Sequence, residues 1–178
     1  MKLINILKNL LLENDAQREF GCVMLYFNFP QLRQIQKNIK QEDIYEFENP
    51  KYGLERDPHI TLLYGLHKEV TSTQVNNKIK GLNSNPVTLF NCSCFNNEKY
   101  DVLKFDANGS NLHQIHNQLK TLPNSNEYPD YHPHMTVGYL NPGAGEKYVN
   151  EFKGLQFELI PTKVVFSTPE GKKYSKQL

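Results

Sequence analysis

The chain has 178 residues, and its 20 lysines and arginines against 19 aspartates and glutamates leave a formal net charge of +1. The length suits one domain with a good-sized core, and the balanced charge excludes the global basic field that carries non-specific binding to long nucleic acid. Cys22, Cys92 and Cys94 are odd in number and lack zinc or redox spacing, so they read as small apolar residues of a reducing, cytoplasmic protein.

The first twelve residues carry Leu3, Ile4, Ile6, Leu7, Leu10 and Leu11 on a helical stripe interrupted by Lys8. That is short of the roughly 20 apolar residues that cross a bilayer, so a docking helix over 1–14 and no membrane partner are expected. The apolar run 21–29 stops at Pro30 and reads as a strand, and Leu32, Ile35 and Ile39 then space out a helix over 31–40. Residues 41–57 are polar and punctuated by Asn49-Pro50 and Gly53, a loop that can act as a lid. After a strand opening at His59, residues 71–81 read as a helix with a threonine cap and a glycine end.

Runs 86–95 and 100–107, split by Asn96-Asn97-Glu98-Lys99, read as a hairpin. A helix over 110–122, capped by Ser110, carries Leu112, Ile115 and Leu119 inward, and a polar loop over 123–131 leads to a second strand at His134. A short helix and a second hairpin, 154–160 and 162–168 around Pro161, complete the pattern. Strand and helix orders echo each other in halves of roughly 20–107 and 108–178. The expectation is a single α+β domain, bilobal and pseudo-symmetric, with antiparallel sheets lining a central groove and helices outside.

The echo is sharpest at Pro58-His59-Ile60-Thr61 and Pro133-His134-Met135-Thr136, each opening an apolar strand that holds a tyrosine and a glycine. On a strand, residues i and i+2 share a face, so each copy presents an imidazole and a hydroxyl together. Two independent structural uses of histidine have no reason to share the proline, the threonine and the Tyr/Gly pair. One neutral and one protonated imidazole suit phosphoryl transfer by acid–base catalysis, and threonine hydroxyls can hold the phosphate oxygens as charge grows. His67, His113 and His116 lack this context, and His113 and His116 are expected to face solvent. His132-Pro133-His134 is not read as a zinc site, because Asp57 holds the matching place in the first copy and no third ligand recurs. No metal and no cofactor are expected.

These motifs resemble the two-histidine (2H) phosphoesterase superfamily, the LigT-like and cyclic-phosphodiesterase enzymes. The resemblance implies a bilobal α+β fold, metal-independent action on a nucleotide phosphodiester, catalysis by His59 and His134, and Thr61 and Thr136 as phosphate ligands. The compact form, Tyr64-Gly65 after the first motif and the run 21–26 are most similar to bacteriophage anti-CBASS enzymes, which cut cyclic di- and trinucleotide signals of bacterial defence. That implies a cyclic di- or trinucleotide ligand, no need of long nucleic acid, a monomer or weak homo-oligomer, and a host cytoplasm. The alternatives are a 2′,3′-cyclic phosphodiesterase of RNA ends and a nucleotide-sequestering module without catalysis. Base stacking calls for aromatic faces. Tyr26, Tyr64, Tyr139, Phe95 and Phe166 are the candidates, with Tyr26 foremost, Glu158 as a polar neighbour, and Lys99, Lys104, Lys163, Lys172 and Lys173 as a local basic groove.

Overall fold

In the computed structural model the described residues are 19–45, 52–109, 111–126, 128 and 130–178. The expected helix over 1–14 lies outside them. Eight strands form one antiparallel sheet, built from β1 (Gly21–Phe27), β2 (His59–Leu66), β3 (Val87–Asn96), β4 (Asp101–Gly109), β5 (His134–Leu140), β6 (Phe157–Leu159), β7 (Pro161–Ser167) and β8 (Lys173–Gln177). Their order is β6-β3-β4-β5-β2-β1-β7-β8. Among the described residues four α-helices accompany the sheet: α1 (Pro30–Gln36), α2 (Ser72–Lys78), α3 (Leu112–Leu119) and α4 (Gly145–Glu151).

The two halves meet where β2 and β5 touch, through the single pairing Ile60↔Met135. Beyond it the two motif strands diverge, and each exposes an edge that would be left unpaired. The loop before the other motif strand covers that edge. Residues 44–55 bond β5 through Tyr45 N to the Tyr139 carbonyl, Tyr139 N to the Gly53 carbonyl and Glu55 N to the Val137 carbonyl. Residues 123–125 bond β2 through Ser125 N to the Gly65 carbonyl and His67 N to the Pro123 carbonyl. The stretch read as a lid thus begins and ends as a strap on β5. Residues 46–51 lie outside the described set.

One apolar row holds the seam from behind. Val164, Leu25, Ile60, Met135, Phe105 and Cys92 pair successively across six strands, and none is more than 5% exposed. Continuity of this buried row fixes the register of both motif strands, since a slip of one residue would turn either motif into the core. The helices are short and are held by their ends. Proline opens α1, and Thr71 and Gln74 form a reciprocal capping box on α2. α2 stops at Lys78, short of Gly81. α3 buries Leu112, Ile115 and Leu119 as its spacing predicts, running 112–119 with Asn111 at its N-cap position.

The expected second hairpin around Pro161 is not formed. β6 pairs with β3 and β7 with β1, so the chain passes straight from one half to the other. Ile160 precedes proline, which favours extended backbone, and neither residue takes the positive φ that a tight hairpin turn requires. One residue separates these strands although they stand six places apart in the sheet. Six flat spacings would span about 29 Å against the roughly 7 Å reach of two residues, so the sheet curls until its halves converge there. Phe157 closes the curl against Phe29 and Phe105, at 4.9 and 5.6 Å between ring centres. β8 has no counterpart in the sequence reading. Its five residues are exposed, and its lysines suit an edge strand rather than the apolar alternation that marks a buried one.

Candidate functional site

On the face opposite the buried row, two polar rows cross the seam. In the first, Lys163, Tyr26 and His59 pair successively, and continuing the Ile60↔Met135 register sets Thr136 opposite His59, with Lys104 and Ser93 beyond it. In the second, Met24 pairs with Thr61, His134 stands opposite Thr61 by the same register, and Asp106 and Phe90 follow. Antiparallel pairing therefore sets each histidine against the other motif's threonine. All four motif side chains are half-buried.

Both imidazoles are aimed by one device used twice. His59 Nδ1 lies 2.8 Å from the Asp57 carbonyl, and His134 Nδ1 lies 2.8 Å from the His132 carbonyl. A carbonyl only accepts, so each Nδ1 carries hydrogen and each Nε2 holds the titrating lone pair. Neither Nε2 has a hydrogen-bond partner among the described residues. The intervening prolines have no N–H to spend in the sheet, yet their carbonyls accept from Phe27 N at 3.0 Å and Ala107 N at 2.8 Å. The shared proline of the two motifs thus starts each strand and presents the preceding carbonyl to the ring.

The surroundings of the two rings differ. Glu55 Oε2 lies 3.8 Å from His59 Nδ1, an ion pair when that ring is charged, and the Tyr26 ring lies alongside His59 at 5.5 Å under Lys163. His134 instead meets the edge of Phe95 at 5.0 Å beside Lys104, which is 4% exposed. Lys104 Nζ bonds Asp106 and Ser93 Oγ at 2.8 Å and sits 4.4 Å over Phe95. Burial lowers the His134 pKa below the ordinary 6.5, and the nearby Lys104 and His59 charges push the same way against the His132 carbonyl and Asp106. Burial pushes the Asp106 carboxyl up, but bonds from Lys104 and Asn91 outweigh it and leave the group below its ordinary range.

The remaining candidates scatter. Tyr64 is exposed on the site's face, edge-on to Phe20. Tyr139 belongs to a cluster with Tyr45, Tyr52 and Tyr100, with ring centres 5.1 to 5.3 Å apart. Glu158 shares the face but pairs with Thr88 on the edge strand β6, three strands from His134. Phe95 reaches His134, whereas Phe166 is buried on the core side. The expected lysine groove is not one track. Lys104 and Lys163 flank the motifs, while Lys99 sits in the β3–β4 turn and Lys172 and Lys173 at the start of β8.

His116 corrects the solvent-facing expectation. It is 5% exposed, donates from Nδ1 to the Leu62 carbonyl at 2.7 Å, and stacks on Tyr131 at 4.1 Å. Tyr131 in turn donates to the Thr61 carbonyl at 3.0 Å. The β1–β2 register slips between Val23 and Met24, and these two side chains satisfy carbonyls at that bulge. His113 is exposed, as expected. Among the described residues no group of three or more histidines, cysteines or acids stands together as metal ligands, and no helix is long and apolar enough to cross a membrane.

A curled antiparallel sheet with two His-x-Thr strands facing each other across a pseudo-twofold seam defines a class. The model of the 2′-5′ RNA ligase superfamily matches residues 29–167 and so includes both motifs. The chain belongs to that superfamily of two-histidine phosphoesterases. Among solved structures it is similar to Usb1 of Kluyveromyces marxianus, determined with uridine monophosphate, at 10% identity and a TM-score of 0.55 over 91% of this chain and 99% of that one. Escherichia coli LigT in its apo form aligns at 15% identity and a TM-score of 0.46, over 92% and 96% of the two chains. A comparison with curated proteins found no match.

Proposed function

We propose that this protein is a phosphodiesterase that works on small nucleotide phosphodiesters through His59 and His134 without a metal, and that its substrates are cyclic di- or trinucleotide messengers. The observation that carries the chemistry is the matched pair of Nδ1–carbonyl bonds, which leaves two Nε2 atoms facing one space across the seam. The depressed pKa of His134 makes it the neutral ring and hence the base. His59 serves as the acid, with the Glu55 carboxylate 3.8 Å from its Nδ1 to pair with the ring when it is charged.

His134 Nε2 removes the proton of the ribose hydroxyl next to the scissile phosphate. That oxygen bonds to phosphorus, the bond to the leaving oxygen breaks, and His59 Nε2 supplies the leaving oxygen with a proton. A cyclic phosphate and a free hydroxyl result, and water can open the former with the two roles reversed. An intramolecular hydroxyl brings a large effective molarity to such a step. Thr61 and Thr136 hydroxyls and the Lys104 ammonium face the developing charge on the non-bridging oxygens.

A net charge of +1 supports a small ligand over long RNA, and the uridine monophosphate held by the Usb1 neighbour supports a nucleotide. The cyclic messenger and the role of a phage enzyme countering CBASS immunity rest on the sequence resemblance. A 2′,3′-cyclic phosphate at an RNA end fits the same chemistry. A pure sequestering module has no use for an acid–base pair.

The test is to incubate the protein with cyclic di- and trinucleotides and a 2′,3′-cyclic-phosphate RNA in excess EDTA and identify products by mass. Cleavage of a cyclic dinucleotide or trinucleotide is the expected result. Cleavage of the RNA end alone moves the substrate to the alternative, and loss of all activity to EDTA overturns the metal-free mechanism.

A further inference from the structure

Beside His134 and away from the seam lies a cleft whose walls include Phe90, Asp106, Asn108, His113 and Tyr131. Phe90, Asp106 and Asn108 project from the same face of β3 and β4 as the catalytic rows, because Phe90 pairs with Asp106 and Asp106 with His134. Phe90 is half-buried, and its ring has no aromatic partner among the described residues. Across the cleft stand Tyr131 and His113, with ring centres 5.3 Å apart.

We propose that this cleft is a nucleobase subsite for the nucleoside on the His134 side of the scissile phosphate. The inference rests on the phosphodiesterase reading and adds where one base sits and what holds it. The Phe90 backbone is two strand spacings, about 10 Å, from the His134 backbone, within the reach of a ribose and its base from a phosphate at His134. Asp106 meets the polar edge. One of its oxygens accepts from Lys104 and the other from Asn91, while a carboxylate has about four acceptor positions, so both oxygens can still take an N–H from a base. Its charge is compensated by Lys104, which removes the repulsion a bare carboxylate would exert on the phosphate next door. Asn108, exposed at the rim, offers a donor and an acceptor to the rest of the edge. On the His59 side Tyr26, already laid against the histidine, stands where Asp106 stands beside His134, and Lys163 where Phe90 does, so the two nucleosides of a substrate meet different surfaces.

The test compares a nucleoside 2′,3′-cyclic phosphate with a base-free methyl riboside 2′,3′-cyclic phosphate, using the wild type, Phe90→Ala and Asn108→Ala. Loss of one stacked base costs about 5- to 150-fold, so Phe90→Ala should raise KM for the nucleoside substrate within that range and leave the base-free one unchanged. Asn108→Ala, at an exposed position that leaves the fold intact, should do the same more weakly. Equal losses on both substrates, or no change on either, overturn the subsite. Binding of a 3′-mononucleotide, followed by NMR in the same variants, reads the subsite without turnover. Weakened binding by Phe90→Ala in a protein that cleaves nothing would sink the phosphodiesterase reading and keep the cleft, whereas unaltered binding would sink the cleft alone.

Discussion

The two halves place the same His-x-Thr motif on the same kind of strand, aim each imidazole with the carbonyl two residues back, and then surround the rings differently. Around His59 the neighbours are Glu55, Tyr26 and a half-buried Lys163. Around His134 they are Phe95 and a buried Lys104 paired with the half-buried Asp106. Backbone symmetry fixes where the nitrogens point. In the proposed mechanism, the lack of side-chain symmetry distinguishes base from acid. A ring that burial and a cation keep neutral can start the reaction, and a ring with a carboxylate at its Nδ1 can finish it.

Replacing either histidine by alanine should lower kcat by the 10²- to 10⁴-fold typical of general acid–base groups. A substrate with a nitrophenolate leaving group separates the roles, since such a group departs without a proton. His59→Ala should then recover most of its activity and His134→Ala little. Recovery by both or by neither breaks the assignment. In the wild type, the lowered pKa of His134 keeps the base neutral to lower pH, so the acidic limb of kcat/KM should fall below pH 6.5.

Removing the cation next to His134 sharpens the comparison further. Lys104→Met should reduce turnover by about 10²-fold, the scale of one lost oxyanion donor. It also leaves Asp106 uncompensated beside His134, so the acidic limb should move to higher pH. Asp106→Asn removes the opposing charge and should move it to lower pH. Matching shifts of the two variants, measured from pH–rate profiles, would detach the ion pair from His134.

Thr61→Val and Thr136→Val keep the β-branched shape and lose a hydroxyl on the phosphate, worth about 1.5–3 kcal/mol when the partner is charged, or roughly 10- to 150-fold. The halves should again differ. Thr136 pairs with Lys104 and Thr61 with Met24, so the place vacated by Thr136 keeps a cation on the adjoining strand and that vacated by Thr61 does not, and Thr61→Val should cost more kcat.

Much of this site was legible in the chain, because strand periodicity turns His59-Ile60-Thr61 and His134-Met135-Thr136 directly into geometry. Lys104 and Asp106 obey the same rule, as polar residues two apart inside Val102-Leu103-Lys104-Phe105-Asp106, and a period-2 reading of that run sets them on one face, while the pairing of β4 with β5 that brings them to His134 is not written in the run. His116 and Tyr131 gave no such signal. They act on carbonyls 54 and 70 residues away at a bulge that hydrophobic patterning does not register. The route through Pro161 was misread because two apolar runs around a proline look alike whether the chain folds back or continues to another strand.

The props under the two bulged motif strands supply the smallest effect. On β5 the Val137 carbonyl accepts from Gln36 Nε2 at 2.9 Å, a group that does not titrate. On β2 the Leu62 carbonyl accepts from His116, whose pKa burial lowers below 6.5. With the folded pKa below the unfolded one, the unfolded chain binds more protons between the two values, so stability rises with pH across that window and is lost on acidification below 6.5. The slope is at most about 1.4 kcal/mol per pH unit for each such histidine. His116→Gln gives the first half the prop of the second, with an amide that can donate to the same carbonyl. Thermal unfolding followed from pH 7.5 to 5 should show a smaller acid-induced fall in Tm for this variant than for the wild type, leaving the part contributed by His134. An identical fall in both proteins would mean that His116 takes up its proton without cost, and that the two props are equivalent after all.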